Sequence, residues 1–486
     1  MLEHLKNATN VAYTENGATA YATTKSAVLD LFAQINAFRS RSESDIIKMF
    51  DKSLSQEELL TMKMIFWSRD IRGGQGERRT FRTILKYLAN RHPDYIRKNI
   101  DLIPEFGRWD DVYALFGTQC ESDATKLIVN QWLKDLGEKY PSLMAKWLKS
   151  ENTSSKESVA LATKTRMILG LTPRGYRKHL SELRRRINVL ERLISSNQWD
   201  KIEYDKLPSK AGLKYKDAFM EHDEDRYKGF ISSLKKGEKK VNVGTLYPYE
   251  LVRRVMLHGE DQEILDQMWK NLPDYVGDDK SNVLVVADTS GSMCSDEHLP
   301  IATCISLAMY FAERNHGVFA NHFITFSAKP KLQQILGTTL ASRINNLSRA
   351  EWTQNTDIEA VFDLILNTAK KNNLPQSDMP SRIVIISDME FDASKGYSRR
   401  SSNDVALFKE IEQRFMQNGY TMPRLVFWNV NATSEQFPMT MTDAGVQLVS
   451  GHSPTLFTSL LKGEYLSAWE MMLKVIDADR YSVVKI

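Results

Sequence analysis

Cysteine is scarce in this 486-residue chain: there are three, Cys120, Cys294 and Cys304. Three cysteines at these spacings build neither a disulfide framework nor a cysteine-based zinc site. Long hydrophobic runs are missing too. No window approaches 18 consecutive apolar residues, so no membrane-spanning helix is expected. The opening stretch, Met1-Leu2-Glu3-His4-Leu5-Lys6, has no basic segment leading into an apolar core, and no secretory signal is expected. A reducing cytoplasm fits these absences. None of the nine histidines stands four residues from another, as a zincin site would require. No Gly-x-Ser-x-Gly elbow and no Walker lysine occur.

What is present is the balance of a folded globular protein, 42% hydrophobic and 26% charged residues. The length allows two or three domains. The net charge of +4 conceals an uneven spread. Residues 141–240 carry 23 Lys and Arg against 13 Asp and Glu, whereas residues 241–486 carry 22 against 29. A basic middle is either a footprint for a polyanion or a solvated set of helix faces.

The first 270 or so residues show helical periodicity. Val28, Leu31, Phe32, Ile35 and Phe38 fall on one stripe, as do Phe81, Ile84, Leu85 and Leu88, and again Ile128, Val129, Trp132, Leu133 and Leu136. Short breakers separate them, at Gly73–Gly76, His92–Asp94 and Pro104–Gly107. Many medium helices on short loops suggest an irregular HEAT-like array, for no clean repeat is visible. Thr172-Pro173 opens the clearest helix, Thr172 as cap and Pro173 at the first helical position. Its apolar stripe runs Tyr176, Leu180, Leu183, Ile187, Leu190, Ile194. Arg174, Arg177, Lys178, Arg184, Arg185 and Arg186 fall largely off that stripe, free for phosphates or paired with Glu182 and Glu191.

From Asn282 the pattern changes. Short apolar runs at Val283–Ala287, Val318–Phe326, Ile383–Ser387 and Leu425–Val430 alternate with helical stretches at Ile301–Arg314, Asp357–Lys371 and Asn403–Asn418. This predicts an α/β, doubly wound, mainly parallel sheet. The domains are therefore expected at 1–275 (helical) and 281–480 (α/β), with the boundary near 270–281.

The strongest chemical signal is Asp288-Thr289-Ser290-Gly291-Ser292, directly after the first of these strands. In an open α/β sheet, ligands bind beyond the carboxyl ends of strands. One carboxylate and two hydroxyls at alternate positions suit a hard cation such as Mg²⁺, which takes oxygen ligands and keeps several waters. Asn355-Thr356-Asp357 and Ser387-Asp388-Met389-Glu390 lie where further loops should reach the same edge. A haloacid-dehalogenase phosphatase would need a second Asp where Ser290 stands, and an aspartic protease would need Asp-Thr-Gly. No nucleophile–base pair emerges, and no catalytic residue is assigned.

The arrangement resembles the von Willebrand factor A fold and its metal-ion-dependent adhesion site, over roughly residues 281–480. The matching residues are Asp288, Ser290 and Ser292, then Thr356, then Asp388. The resemblance implies that Asp288 binds the metal directly or through water, that Ser290, Ser292 and Thr356 give hydroxyl oxygens, and that Asp388 holds a water. It implies Mg²⁺ (or Mn²⁺ or Ca²⁺) and one coordination position left for an acidic group of a partner. Asp357 is expected either to cap the following helix or to stand as an acid behind the metal ligands. The third loop departs from the family's common Asp-Gly, a change expected to alter loop shape more than metal binding.

In the first half, Trp67-Ser68-Arg69-Asp70-Ile71-Arg72-Gly73-Gly74-Gln75-Gly76-Glu77-Arg78-Arg79 sets arginines around a glycine turn, and Phe106-Gly107-Arg108-Trp109-Asp110-Asp111 forms a second cluster. Arginines near glycines suit phosphate contact, and Arg beside Asp equally suits internal pairing. A helical array with this turn, the basic helix and Tyr247-Pro248-Tyr249-Glu250-Leu251, joined to an A domain, resembles the TROVE-module (Ro-type) RNA-binding proteins. It resembles more closely a TROVE-like group of the same layout from phages, plants and large DNA viruses.

That resemblance implies a non-enzymatic ribonucleoprotein scaffold able to form a ring, for small structured or misfolded RNA. Arg72, Arg78, Arg79, Arg174, Arg177, Lys178, Arg184, Arg185 and Arg186 are its expected contacts. No membrane and no DNA sequence reading are expected. The competing expectation is a metal-dependent protein-interaction module or adaptor without RNA binding.

Overall fold

The apolar runs of the second half do form strands, and two of them, at Val283–Asp288 and Arg382–Ser387, are buried along their whole length. The computed structural model describes residues 10–486 apart from 261, 279, 327–329, 349–356, 393–406, 442, 444 and 462–465. Val11–Tyr13 (β1) and Thr19–Tyr21 (β2) pair as an antiparallel hairpin. Val283–Asp288 (β3), His322–Phe326 (β4), Lys331–Gln334 (β5), Arg382–Ser387 (β6), Arg424–Asn429 (β7) and Val446–Ser450 (β8) form a mixed six-stranded sheet in the order β5-β4-β3-β6-β7-β8. All neighbours run parallel except β4 and β5. The chain moves from β3 to β4 on one side and returns to β6 on the other. The strand order thus reverses beside β3.

The expected strand Val318–Phe326 begins only at His322. Val318 is exposed, and Asn321 takes a left-handed backbone (φ 59) that ends a turn rather than extending a strand. The edge strands β5 and β8 were not anticipated from the sequence. The helix before β6 spans Ile358–Lys371, with Asp357 as its cap accepting from the Ala360 amide at 3.0 Å.

By compactness the chain divides into two units, one comprising residues up to Thr61 with Leu246–Arg480, the other Met62–Thr245 with Tyr481–Ile486. The periodicity change near 281 marks where the six-stranded sheet begins; the compact units group the chain differently. Helix Ala27–Gln34 packs on β7 and β8, and helix Pro248–His258 packs along Ser295–Arg314. Trp269 donates its indole N–H to Glu313 at 2.7 Å, and Arg343 pairs with the same carboxylate at 2.8 Å. Apolar faces of helices before residue 276 are thereby buried in the sheet unit.

The other unit is helical. Its helices include Arg79–Arg91, Glu121–Gly137, Lys156–Ile168, Pro173–Arg186, Ser209–His222 and Glu224–Lys235. Thr172 caps its helix by accepting from the Gly175 amide at 3.1 Å. The stripe expected to continue to Ile194 breaks at Asn188, which turns left-handed (φ 50), and a second helix starts at Leu190. Tyr204, Phe219, Tyr227 and Phe230 pack edge and face together as core.

A buried ionic knot sits beneath the glycine turn. Arg69, fully buried, grips Asp111 Oδ2 through Nε at 2.9 Å and Nη2 at 2.7 Å. Arg82 meets Asp111 Oδ1 at 2.6 Å and Asp110 Oδ2 at 2.9 Å. The arginine–aspartate pairing expected within each cluster therefore runs between the clusters. Gly74 is required by contact: a Cβ there would lie 1.9 Å from the Trp67 carbonyl oxygen. Among the described residues no helix is long and apolar enough to cross a membrane.

Candidate metal centre

Parallel pairing brings the carboxyl ends of β3 and β6 side by side, with Ala287 opposite Ile386. Asp288 ends β3 and Asp388 follows β6, so both stand at the crevice where strand order reverses, the place where open α/β sheets bind ligands. Asp288, Ser290 and Asp388 are almost wholly buried. Asp288 Oδ1 accepts from the Ser290 amide at 2.9 Å, and Oδ2 accepts from the Ser387 hydroxyl at 2.5 Å. The Ser290 and Ser292 hydroxyls lie 3.1 Å apart. Asp388 Oδ1 accepts from the Glu390 amide at 3.2 Å, whereas its Oδ2 is buried with no hydrogen bond of proper geometry. The Thr289 hydroxyl is likewise buried without a partner.

Electrostatics single out the same pair. Burial first, and then the charge of Asp288, push the Asp388 carboxyl up to about 7, against the Ser292 hydroxyl and Glu390 amide that favour its charged form. Burial also raises Asp288, opposed by its bonds to Ser387 and Ser290. Two acids desolvated side by side, one with an orphaned oxygen, are a natural seat for a cation. Among the described residues no group of three or more His, Cys, Asp or Glu forms a metal-holding cluster. The donor set is two carboxylates with hydroxyls, the mixture that suits a hard cation keeping waters. The residues present fit Mg²⁺. Thr356, the expected second-loop hydroxyl, lies outside the described residues.

Met389 occupies the third loop's departure from Asp-Gly, and its backbone is left-handed (φ 69). A side chain there costs roughly 1–2 kcal/mol. Met389 is 2% exposed, and burying such a side chain contributes about 2–5 kcal/mol. Burial wins, so the loop keeps a glycine's backbone with a methionine's packing.

Sequence reasoning missed what holds this loop. Glu390, buried, accepts from the Glu15 amide at 2.6 Å, the Thr433 hydroxyl at 3.1 Å and the Ser434 hydroxyl at 2.5 Å. Thr14 donates to the Phe391 carbonyl and Asn16 to the Glu390 carbonyl, each at 2.6 Å. Tyr21 and Phe437 exchange backbone bonds at 2.8 Å, and Gln34 reaches the carbonyls of Ser434 and Gln436. Residues 10–24 thus form a strap across the loops that follow β6 and β7. Lys25, just past the strap, is exposed. Glu390→Ala removes the acceptor of three donors and is expected to speed tryptic cleavage at Lys25 about tenfold, the equivalent of roughly 1.4 kcal/mol of easier local opening. Peptide mapping over a time course checks this, and an unchanged rate would show that the strap is held elsewhere.

The nine expected RNA contacts separate. Arg184 donates to the carbonyls of Ala145 and Leu148, each at 2.9 Å, and to the Ser150 hydroxyl at 3.0 Å; burial lowers its affinity for its proton. Arg186 donates to the Glu138 carbonyl at 2.7 Å, and Arg185 pairs with Glu182 at 2.6 Å. Arg184 and Arg186 tie their helix to neighbouring backbone, whereas Arg185 is exposed and its partner is on its own helix. Arg72 donates to the Glu105 carbonyl at 3.3 Å. Arg78, Arg79, Arg174, Arg177 and Lys178 are exposed.

The class so defined is a helical unit joined to an α/β unit with a carboxylate–hydroxyl crevice at its strand-order reversal. Residues 14–136 and 140–285 match the domain of unknown function DUF2828, and residues 282–482 match the domain of unknown function DUF7788. The chain belongs to the DUF2828 family. It is similar to the "Uncharacterized protein L728" of Acanthamoeba polyphaga mimivirus, with 30% identity over 510 residues, covering 96% of this chain and 87% of that protein.

Proposed function

We propose that this chain is a non-catalytic RNA-binding scaffold whose α/β unit is a doubly wound, von Willebrand factor A-type domain holding Mg²⁺. The observation that carries the metal half is the buried, unpartnered Asp388 Oδ2 beside Asp288. Asp288, Ser290, Ser292 and Asp388 hold the ion, with Thr356 as the hydroxyl the family pattern adds. The bound ion supplies a positive centre for an acidic group of a partner. Ser387 orients Asp288 through its hydroxyl, and the Glu390 amide orients Asp388. The strap fixes the loop that carries both.

The RNA half rests on the ten surplus cations of residues 141–240 and on the TROVE-like layout, a HEAT-like array. Purification at low salt with sequencing of the accompanying nucleic acid tests it. Discrete structured RNA is expected with the wild type. Its yield should fall at least tenfold for Arg174→Glu/Arg177→Glu/Lys178→Glu, whose side chains are exposed. Clean protein, or RNA retained equally by the variant, overturns this half. It would favour the second reading, a metal-dependent protein-docking module.

A further inference from the structure

Asp111 is committed to Arg69 and Arg82, and its Oδ2 also accepts the Arg108 amide at 2.9 Å; Asp110 pairs with Arg82 through Oδ2, while its Oδ1 is buried without a hydrogen-bond partner. The Arg108 side chain is left over. Among the described residues it makes no ion pair, and its Nε is buried with no hydrogen-bond partner. Its guanidinium lies 4.4 Å from the centre of the Trp147 ring, and the Lys146 ammonium lies 5.7 Å from the same centre. Arg78 is close enough to repel Arg108, is exposed, and makes no ion pair among the described residues. Glu77, next to Arg78 in the chain, is spent on the amides of Arg79 and Thr80.

We propose that Arg108, stacked on the face of Trp147, and the neighbouring Arg78 form a binding site for a phosphate group. Two guanidinium forks present parallel donors that match phosphate oxygens, and stacking on the indole holds one fork in place at little entropic cost. An unpaired, half-buried guanidinium beside a second one is costly to keep. Burial, and then the like charges of Arg78 and Arg69, hold Arg108 down to about 10. An anion between the two arginines satisfies the orphaned Nε and removes that repulsion. The site deepens the RNA reading by naming where a phosphate is held, and it stands or falls separately from it.

The test is calorimetric titration of the full chain with inorganic phosphate, then with one RNA oligonucleotide in 5′-phosphorylated and 5′-hydroxyl forms. Phosphate is expected to bind the wild type and a Lys86→Ala control alike. Arg78→Ala, at an exposed position, and Arg108→Gln should each weaken it at least tenfold. If the 5′-phosphorylated strand alone competes with phosphate, the site takes a terminal phosphate; if both strands compete, it takes the backbone. Equal phosphate affinity in both variants overturns the site, as does the absence of heat with phosphate and both strands. RNA binding that survives Arg78→Ala unchanged while phosphate binding is lost keeps the site and places the RNA elsewhere on the chain. Phosphate binding without any RNA binding keeps the site and refutes that reading.

Discussion

Magnesium is expected to raise the thermal transition of the sheet unit by about 5–10 °C at a hundredfold excess over its Kd. A ligand that binds only the folded state contributes about 2.7 kcal/mol at that excess. For a unit of this size each kcal/mol moves the midpoint by about 2–4 °C. Asp288→Ala and Asp388→Ala should abolish the rise, and an equal rise in both variants would sink the metal assignment. The pH dependence has a definite sign. Without metal, Asp388 titrates at about 7 when folded and near 3.8 when unfolded. The folded state therefore binds more protons, and the stability this group contributes is fully present below about 4 and is lost as pH rises towards 7. Mg²⁺ must displace that proton, so the magnesium-induced rise should grow between pH 5.5 and 7.5. Calorimetric scans in EDTA and in Mg²⁺ across that range check both trends.

The second large effect belongs to the helical unit. Asp111→Ala should destabilise it by about 3–5 kcal/mol, the cost of leaving a buried charge without its counter-ion. Arg69 is 1% exposed, and Asp111 is the acceptor of its Nε and of the Arg82 Nε and the Arg108 amide. Such a loss is a large share of a domain's usual 5–15 kcal/mol. Urea unfolding followed by circular dichroism measures it. Replacing the pair with apolar residues of similar size, Arg69→Met with Asp111→Leu, should recover much of the loss, because desolvating the ions costs nearly what their attraction returns. A cost under about 1 kcal/mol for Asp111→Ala would mean that water reaches Arg69.

The parts of this protein written locally were legible in the sequence. Asp288-x-Ser290-x-Ser292 follows its strand within five residues, and Thr172-Pro173 announces its helix. The cap at Asp357 was visible for the same reason. In the basic helix, Arg184 and Arg186 have partners among backbone carbonyls near residues 136–150 that no charge pattern reveals. Glu390 looked like a loop acid, yet its partners include Glu15, 375 positions away. The pairing of Arg69 with Asp111 spans 42 positions and crosses two clusters, each self-sufficient on paper. Charge and periodicity report what a residue prefers, and contacts between distant segments decide which partner it gets.

The division of the chain also sets an order in which it can fold during synthesis. The strap and helix Ala27–Gln34 leave the ribosome roughly 400 residues before their partners at Glu390, Phe437 and Ser450. Meanwhile most of the helical unit is complete by Thr245 and is free to form ahead of the sheet. It too waits for a late piece: Tyr481 donates to Asp70 at 3.1 Å, and Asn99 bonds Lys485 in both directions. Nascent chains arrested before residue 450 should therefore carry an unclosed apolar N-terminal helix, a segment suited to chaperone capture.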